Sequence, residues 1–204
     1  MLTLNVKKFE EAWFGVAVSG SEIYATAFAF SRLRVLQSLL RNIPFYMPFQ
    51  YAENMSASAG QVIALLFDIY SGKEFSKGIP LILDHLTPYA KKVLETVASI
   101  PIGYVTSYGS VANVAGGSPR AVGNTLASNP FPLLIPCHRV VASNFSLGGY
   151  SQGLMAKWEI LGREKRGYME SLQIKLKNGR LHVFPVELVL NKPNETYVKI
   201  SNSK

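Results

Sequence analysis

Cysteine occurs once in the 204 residues, at position 137. That count removes two ways of holding a chain together: no intramolecular disulfide can form, and no multi-cysteine zinc site can be built. The chain must rely on a hydrophobic core, in one large domain or two small ones. Its 48% hydrophobic content supplies one and argues against disorder. The lone thiol also fits a reducing compartment, so the expected location is cytoplasmic, or nuclear in a eukaryote. Met1 to Lys8 lacks the long apolar core of a signal peptide. The apolar stretch from Ala12 to Phe30 is cut by Ser19-Gly20-Ser21-Glu22, so it reads as a hairpin and not as a membrane span. A net charge of +8 makes polyanions the natural partners, nucleic acid or an anionic surface. No run of five like charges occurs, which excludes a disordered basic tail.

Local patterns place the elements. Trp13 to Val18 and Ile23 to Phe30 read as two strands. Leu33, Leu36, Leu39 and Leu40 give a helix over 32–41. Val62, Leu65, Leu66 and Ile69 give a second, stopped by Ser71-Gly72, and 73–84 reads as a linker. Thr87-Pro88 opens a helix whose buried face is Val93, Leu94 and Val97. Ser107 caps a short helix, Gly116-Gly117 turns the chain, and Ser118-Pro119 opens another, together a helix-turn-helix. The second of these helices is poor in long side chains, which suits a narrow groove. Leu133-Leu134-Ile135 reads as a buried strand running toward the cysteine. Gly148 to Ser151 reads as a loop, and Leu154, Trp158 and Leu161 mark a helix. In 171–200, alternation around Asn178-Gly179 predicts a hairpin, and Val186, Leu188 and Leu190 a further strand.

The cysteine sits in Ile135-Pro136-Cys137-His138-Arg139-Val140. A lone cysteine is usually a small buried core thiol. Here a histidine can take its proton, and the Arg139 charge favours thiolate. Tyr108, Glu164 and Arg120, taken singly, read as a core aromatic, a solvated carboxylate and a surface charge. His85 and His182 read as structural or solvated, and no metal set is evident.

Residues 104–164 resemble the O6-alkylguanine-DNA alkyltransferases, the methylated-DNA–protein-cysteine methyltransferases. The ordered blocks are Val105-Thr106-Ser107-Tyr108-Gly109, Ser118-Pro119-Arg120-Ala121-Val122-Gly123, Asn129-Pro130, the Pro-Cys-His-Arg run at 136–139, and Gly149-Tyr150-Ser151. The resemblance implies an α/β (α+β) fold. It comprises a small amino-terminal sheet-plus-helix domain with its linker (1–83), a mostly helical catalytic and DNA-binding domain (84–168), and a β-hairpin extension (169–204). It implies single-turnover, irreversible transfer of an alkyl group from O6-alkylguanine in double-stranded DNA to Cys137, with O4-alkylthymine as a second substrate.

The implied roles are these. Cys137 acts through water on His138, which Glu164 orients; Asn129 braces the turn; Tyr108 gives a proton to guanine N3. Arg120 fills the gap left by the flipped base, while Ser118, Ala121 and Ala127 press on the groove walls. Arg139, the Val140 carbonyl, Tyr150 and Ser151 line the base site. Neither a cofactor nor a metal is implied, nor a membrane partner, and the protein is expected to be a monomer. Gln152 stands where glycine is common, which is expected to restrict bulky adducts. The alternatives are a sensor of alkylated bases that transfers nothing, a cysteine hydrolase, and a dimeric helix-turn-helix regulator. Consecutive Cys137-His138 is poorly arranged for a hydrolase, and no dimerisation segment is evident.

Overall fold

The fold is described from a computed structural model covering residues 1–75 and 78–192. Residues 193–204, the end of the expected extension, and 76–77 of the expected linker lie outside the described residues. Among the described residues, two four-stranded sheets and seven α-helices make a mixed α/β structure.

The first sheet has the order β3-β2-β1-β4. Strands β1 (Leu2–Phe9), β2 (Ala12–Ser19) and β3 (Glu22–Ala29) form an antiparallel meander, and β4 (Phe49–Tyr51) runs parallel to β1. The expected hairpin is β2–β3, turned at Gly20. β1 and β4 were not read from the sequence. Size decides which helix covers which face. Phe14, Val16 and Phe28 point to the side covered by helix α2 (Ala57–Tyr70). Ala17, Ala25 and Ala27 point to the side covered by α1 (Arg32–Asn42). A Cβ on Gly15 would come within 2.5 Å of Val35 Cγ1, so α1 docks against bare backbone. The face of α1 differs from the expected leucine set: Val35 and Leu39 are buried, whereas Leu33 is 63% exposed. The period was right and the face misassigned by a residue or two, because leucine also occupies solvent positions here.

The segment expected as a linker is held to the sheet edge. The Ile23 N–H donates to Pro80 O at 3.1 Å and Ile82 N–H to Ile23 O at 2.9 Å. Helix α3 (Pro88–Ala98) follows, capped by Thr87, whose oxygen accepts from Ala90 N–H at 3.2 Å. Strand β5 (Tyr104–Ser107) leads straight into α4 (Tyr108–Ala115), capped by Ser107; α5 (Pro119–Ala127) is capped by Ser118. Between them Gly116 and Gly117 hold φ of 88° and 83°, conformations open to glycine at no steric cost. At Gly117 a Cβ would also meet Tyr89 Oη at 2.7 Å.

Two expected strands are corrected. Leu133-Leu134-Ile135 is a turn with Leu133 at φ 73°. Prolines at 132 and 136 remove ladder donors, and the Asn129 amide satisfies the loop instead: Nδ2 donates to Ile135 O and Oδ1 accepts from Phe131 N–H, both at 3.0 Å. Val186 to Leu190 contributes the short helix α7 (Glu187–Leu190). There Val186 and Val189 are buried and Leu188 is 44% exposed, a three-residue period that excludes alternation.

The second sheet has the order β6-β5-β8-β7. Strand β6 (Val140–Val141) pairs parallel with β5. After helix α6 (Leu154–Arg163), the predicted hairpin forms as β7 (Leu172–Leu176) and β8 (Gly179–Pro185). β8 pairs antiparallel with β5, with Val105 opposite Phe184. The loop before the cysteine is tied to the first sheet, since Thr26 N–H donates to Pro130 O at 2.8 Å and Thr26 Oγ1 to Pro132 O at 3.1 Å. Among the described residues, no helix is long and apolar enough to cross a membrane.

Candidate active site

Cys137 opens a three-residue 3₁₀ turn, Cys137–Arg139. Cys137 and His138 therefore do not follow the alternation of an extended strand, in which neighbouring side chains point to opposite faces. The thiol is 6% exposed and lies at a cavity of about 520 Å³. Tyr108 from the start of α4 and Arg120 and Ala127 from α5 line that cavity, with Tyr150 and Ser151 from the loop before α6. Asn124 of α5 lines it as well.

Behind the thiol is a buried polar chain. His138 and Glu164 are fully buried, with Nε2 3.0 Å from Oε1. Arg139 clamps the same carboxylate twice, Nε to Oε2 at 2.9 Å and Nη2 to Oε1 at 2.7 Å, while its Nη1 donates to Ile100 O at 2.6 Å. Burial alone would raise the Glu164 pKa; His138 and Arg139 more than offset this and hold it at about 2. An ionised carboxylate only accepts, so a neutral His138 must carry its proton on Nε2. That leaves Nδ1 as the basic atom, and Nδ1 is buried with no protein partner among the described residues. Burial lowers the His138 pKa, against the pull of Glu164.

The thiol itself is pushed up by burial; a hydrogen bond with Asn129 and the charge of Lys157 act in the other direction. Sequence reasoning missed Lys157. It is fully buried, donates to Val140 O at 2.6 Å and Gly149 O at 3.2 Å, and lies 5.9 Å from the ring centres of both Tyr108 and Tyr150. Burial lowers its pKa to about 8, against the pull of the thiol. The available signal was its place one turn before Leu161 and two turns before Glu164, on the buried face of α6.

The other sequence candidates take these positions. Tyr108 Oη donates to Gly149 O at 3.2 Å, and burial raises its pKa, so the hydroxyl holds its proton. Val140 O, expected to face a base, already accepts from Lys157 and has a second lone pair to offer. Ser118 caps α5 through Ala121 N–H at 3.2 Å; neither residue is on the cavity wall. Arg139 faces a separate cavity of about 450 Å³ on the far side of the turn. Among the described residues, no cluster of three or more His, Cys, Asp or Glu side chains could hold a metal.

Comparison with known proteins identifies the family. Residues 88–166 match the family model described as 6-O-methylguanine DNA methyltransferase, DNA binding domain. A methylated-DNA–protein-cysteine methyltransferase of Methanocaldococcus jannaschii is 33% identical over 161 residues, 78% of this chain and 91% of that protein. One of Methanocaldococcus vulcanius is 52% identical over 81 residues, 40% of this chain and 50% of that protein. The crystal structure of O6-methylguanine-DNA methyltransferase from Pyrococcus kodakaraensis superposes with a TM-score of 0.63 at 30% identity, covering 80% of this chain and 99% of that one. The chain belongs to the methylated-DNA–protein-cysteine methyltransferases, a DNA-binding family of DNA-repair enzymes.

Proposed function

We propose that the protein removes the alkyl group from O6 of alkylguanine in duplex DNA by transferring it to Sγ of Cys137, once per molecule. The observation that carries this reading is the sole cysteine at the wall of a nucleobase-sized cavity, with a buried His138–Glu164–Arg139 chain behind it. O6 is inaccessible inside a stacked duplex, so the base must leave the helix. α5 enters the minor groove with Arg120 at its exposed first turn, in place of the departed base, and Ala121 and Ala127 allow close approach to the sugar–phosphate walls.

In the cavity the thiol proton passes through a water to Nδ1 of His138, and Glu164 stabilises the resulting imidazolium. The Lys157 charge favours the thiolate. Sulfur attacks the alkyl carbon, the C–S bond forms, and the C–O6 bond breaks with its electron pair leaving on the purine. Tyr108, released from Gly149 O, gives that purine a proton at N3, and the histidine proton returns to the tyrosinate through solvent. The product thioether is stable, so the molecule is spent.

Intact-mass measurement after incubation with a duplex containing O6-methylguanine tests this. One methyl group on the wild type, at Cys137 by peptide mapping, and none on Cys137→Ala is the expected result. An unmodified wild type at saturating duplex would overturn the transfer reading.

A further inference from the structure

The hairpin β7–β8 lies outside the matched residues 88–166, and the reaction gives it no task. Its two faces differ sharply. Ile174, Leu176, Leu181 and Val183 turn inward to the core that includes Val111 and Val114 of α4. Lys175 and Arg180 turn outward and stand directly opposite each other in the ladder. Like charges directly opposite on one sheet face weaken it. Lys177 adds a third positive charge at the turn. All three are exposed, and none forms an ion pair among the described residues. The fold gains nothing from this row.

Position supplies a reason for it. Val105 pairs with Phe184, but β8 runs three residues further than β5 does, about 10 Å at strand rise, so the tip projects beyond the sheet. The tip rests on the last turn of α4, where a Cβ on Gly179 would lie 3.9 Å from Val114 Cγ2. Gly116-Gly117, Ser118 and Arg120 follow immediately in the chain. The hairpin is also clamped, since Thr106 Oγ1, next to the cap of α4, donates to His182 O at 2.6 Å.

We propose that β7–β8 is a basic wing that sets Lys175, Lys177 and Arg180 on the phosphate backbone flanking the groove entered by α5. This rests on the DNA alkyl-transfer reading above and extends its binding surface. Contacts of this kind carry no sequence information; they add affinity and salt dependence.

The test uses the full chain with Lys175→Gln, Lys177→Gln and Arg180→Gln combined. Binding to undamaged labelled duplex is titrated with salt, beside the variant Lys175→Arg, Lys177→Arg, Arg180→Lys. Each lost phosphate contact removes about 0.9 from the log–log salt slope, so the glutamine variant should lose about 2 to 3. The charge-keeping variant should retain the wild-type slope. The melting temperature of the glutamine variant should be equal to or above that of wild type, because a like-charge pair is gone. Methyl uptake from free O6-methylguanine should be unchanged. A folded glutamine variant with the wild-type slope overturns the wing, as does a charge-keeping variant that loses as much as the glutamine one. A wild type that shows the slope difference but takes no methyl from methylated duplex keeps the wing and removes the transfer reading.

Discussion

A fully buried lysine needs partners, and Lys157 has two carbonyls and a sulfur. Its ammonium costs free energy to bury, which lowers its own pKa, and the same charge draws the Cys137 proton off. Replacing it by methionine keeps most of the volume and deletes the charge. Lys157→Met should then react several-fold more slowly with iodoacetamide at neutral pH, with the pH midpoint of labelling moved upward. An unmoved midpoint would mean that Asn129 and the backbone hydrogen bonds at Cys137 and His138 offset the burial of the thiol without the lysine. The resemblance points to His138, Glu164 and Tyr108, and the fold brings His138 onto Glu164 and Tyr108 to the cavity that holds Cys137. Lys157 was not legible in the sequence, because a lysine within a helical stretch reads as solvated until the packing of that face is known.

Elements whose ends are written in side-chain chemistry were the easiest to read. Thr87, Ser107 and Ser118 each precede a helix and each accepts the expected backbone N–H. Asn178-Gly179 marked its hairpin for a similar reason. Elements defined by distant partners were not readable. β4 has three exposed residues and exists only through pairing with β1. The turn at 133–135 exists because Asn129 takes over its backbone groups. What the hairpin pairs with was equally hidden, and it alters what removal of 169–204 should do. β8 supplies a neighbour for β5, and Leu181, Val183, Val186 and Val189 are core residues. At about 1.5–3 kcal/mol for each buried aliphatic side chain, truncation after residue 168 should cost on the order of 8 kcal/mol. Thermal unfolding should show a fall of well over 10 °C; an unchanged midpoint would make the hairpin a mere cover.

Across the whole molecule the two sheets meet at the reactive turn. Thr26 of β3 holds the loop before it, and Arg139 ties it to Glu164 after α6 and to Ile100 after α3. This linkage has a pH signature. Glu164 titrates at about 2 when folded and near 4.5 when unfolded, so its contribution is complete above 4.5 and lost as pH falls toward 2. The loss is about 3 kcal/mol. His138, lowered by burial, acts in the same direction from 6.5 downward, because the unfolded chain takes up a proton that the folded one refuses. Urea unfolding across pH 7 to 2 should show stability falling throughout, and Glu164→Gln should flatten the part below 4.5. A turn anchored at both flanks and from behind cannot flex to suit its cargo without dissolving the whole architecture. On the alkyl-transfer reading, the adaptation needed for encounter then falls to the nucleic acid, and lesions would be sorted by how cheaply their surrounding duplex distorts.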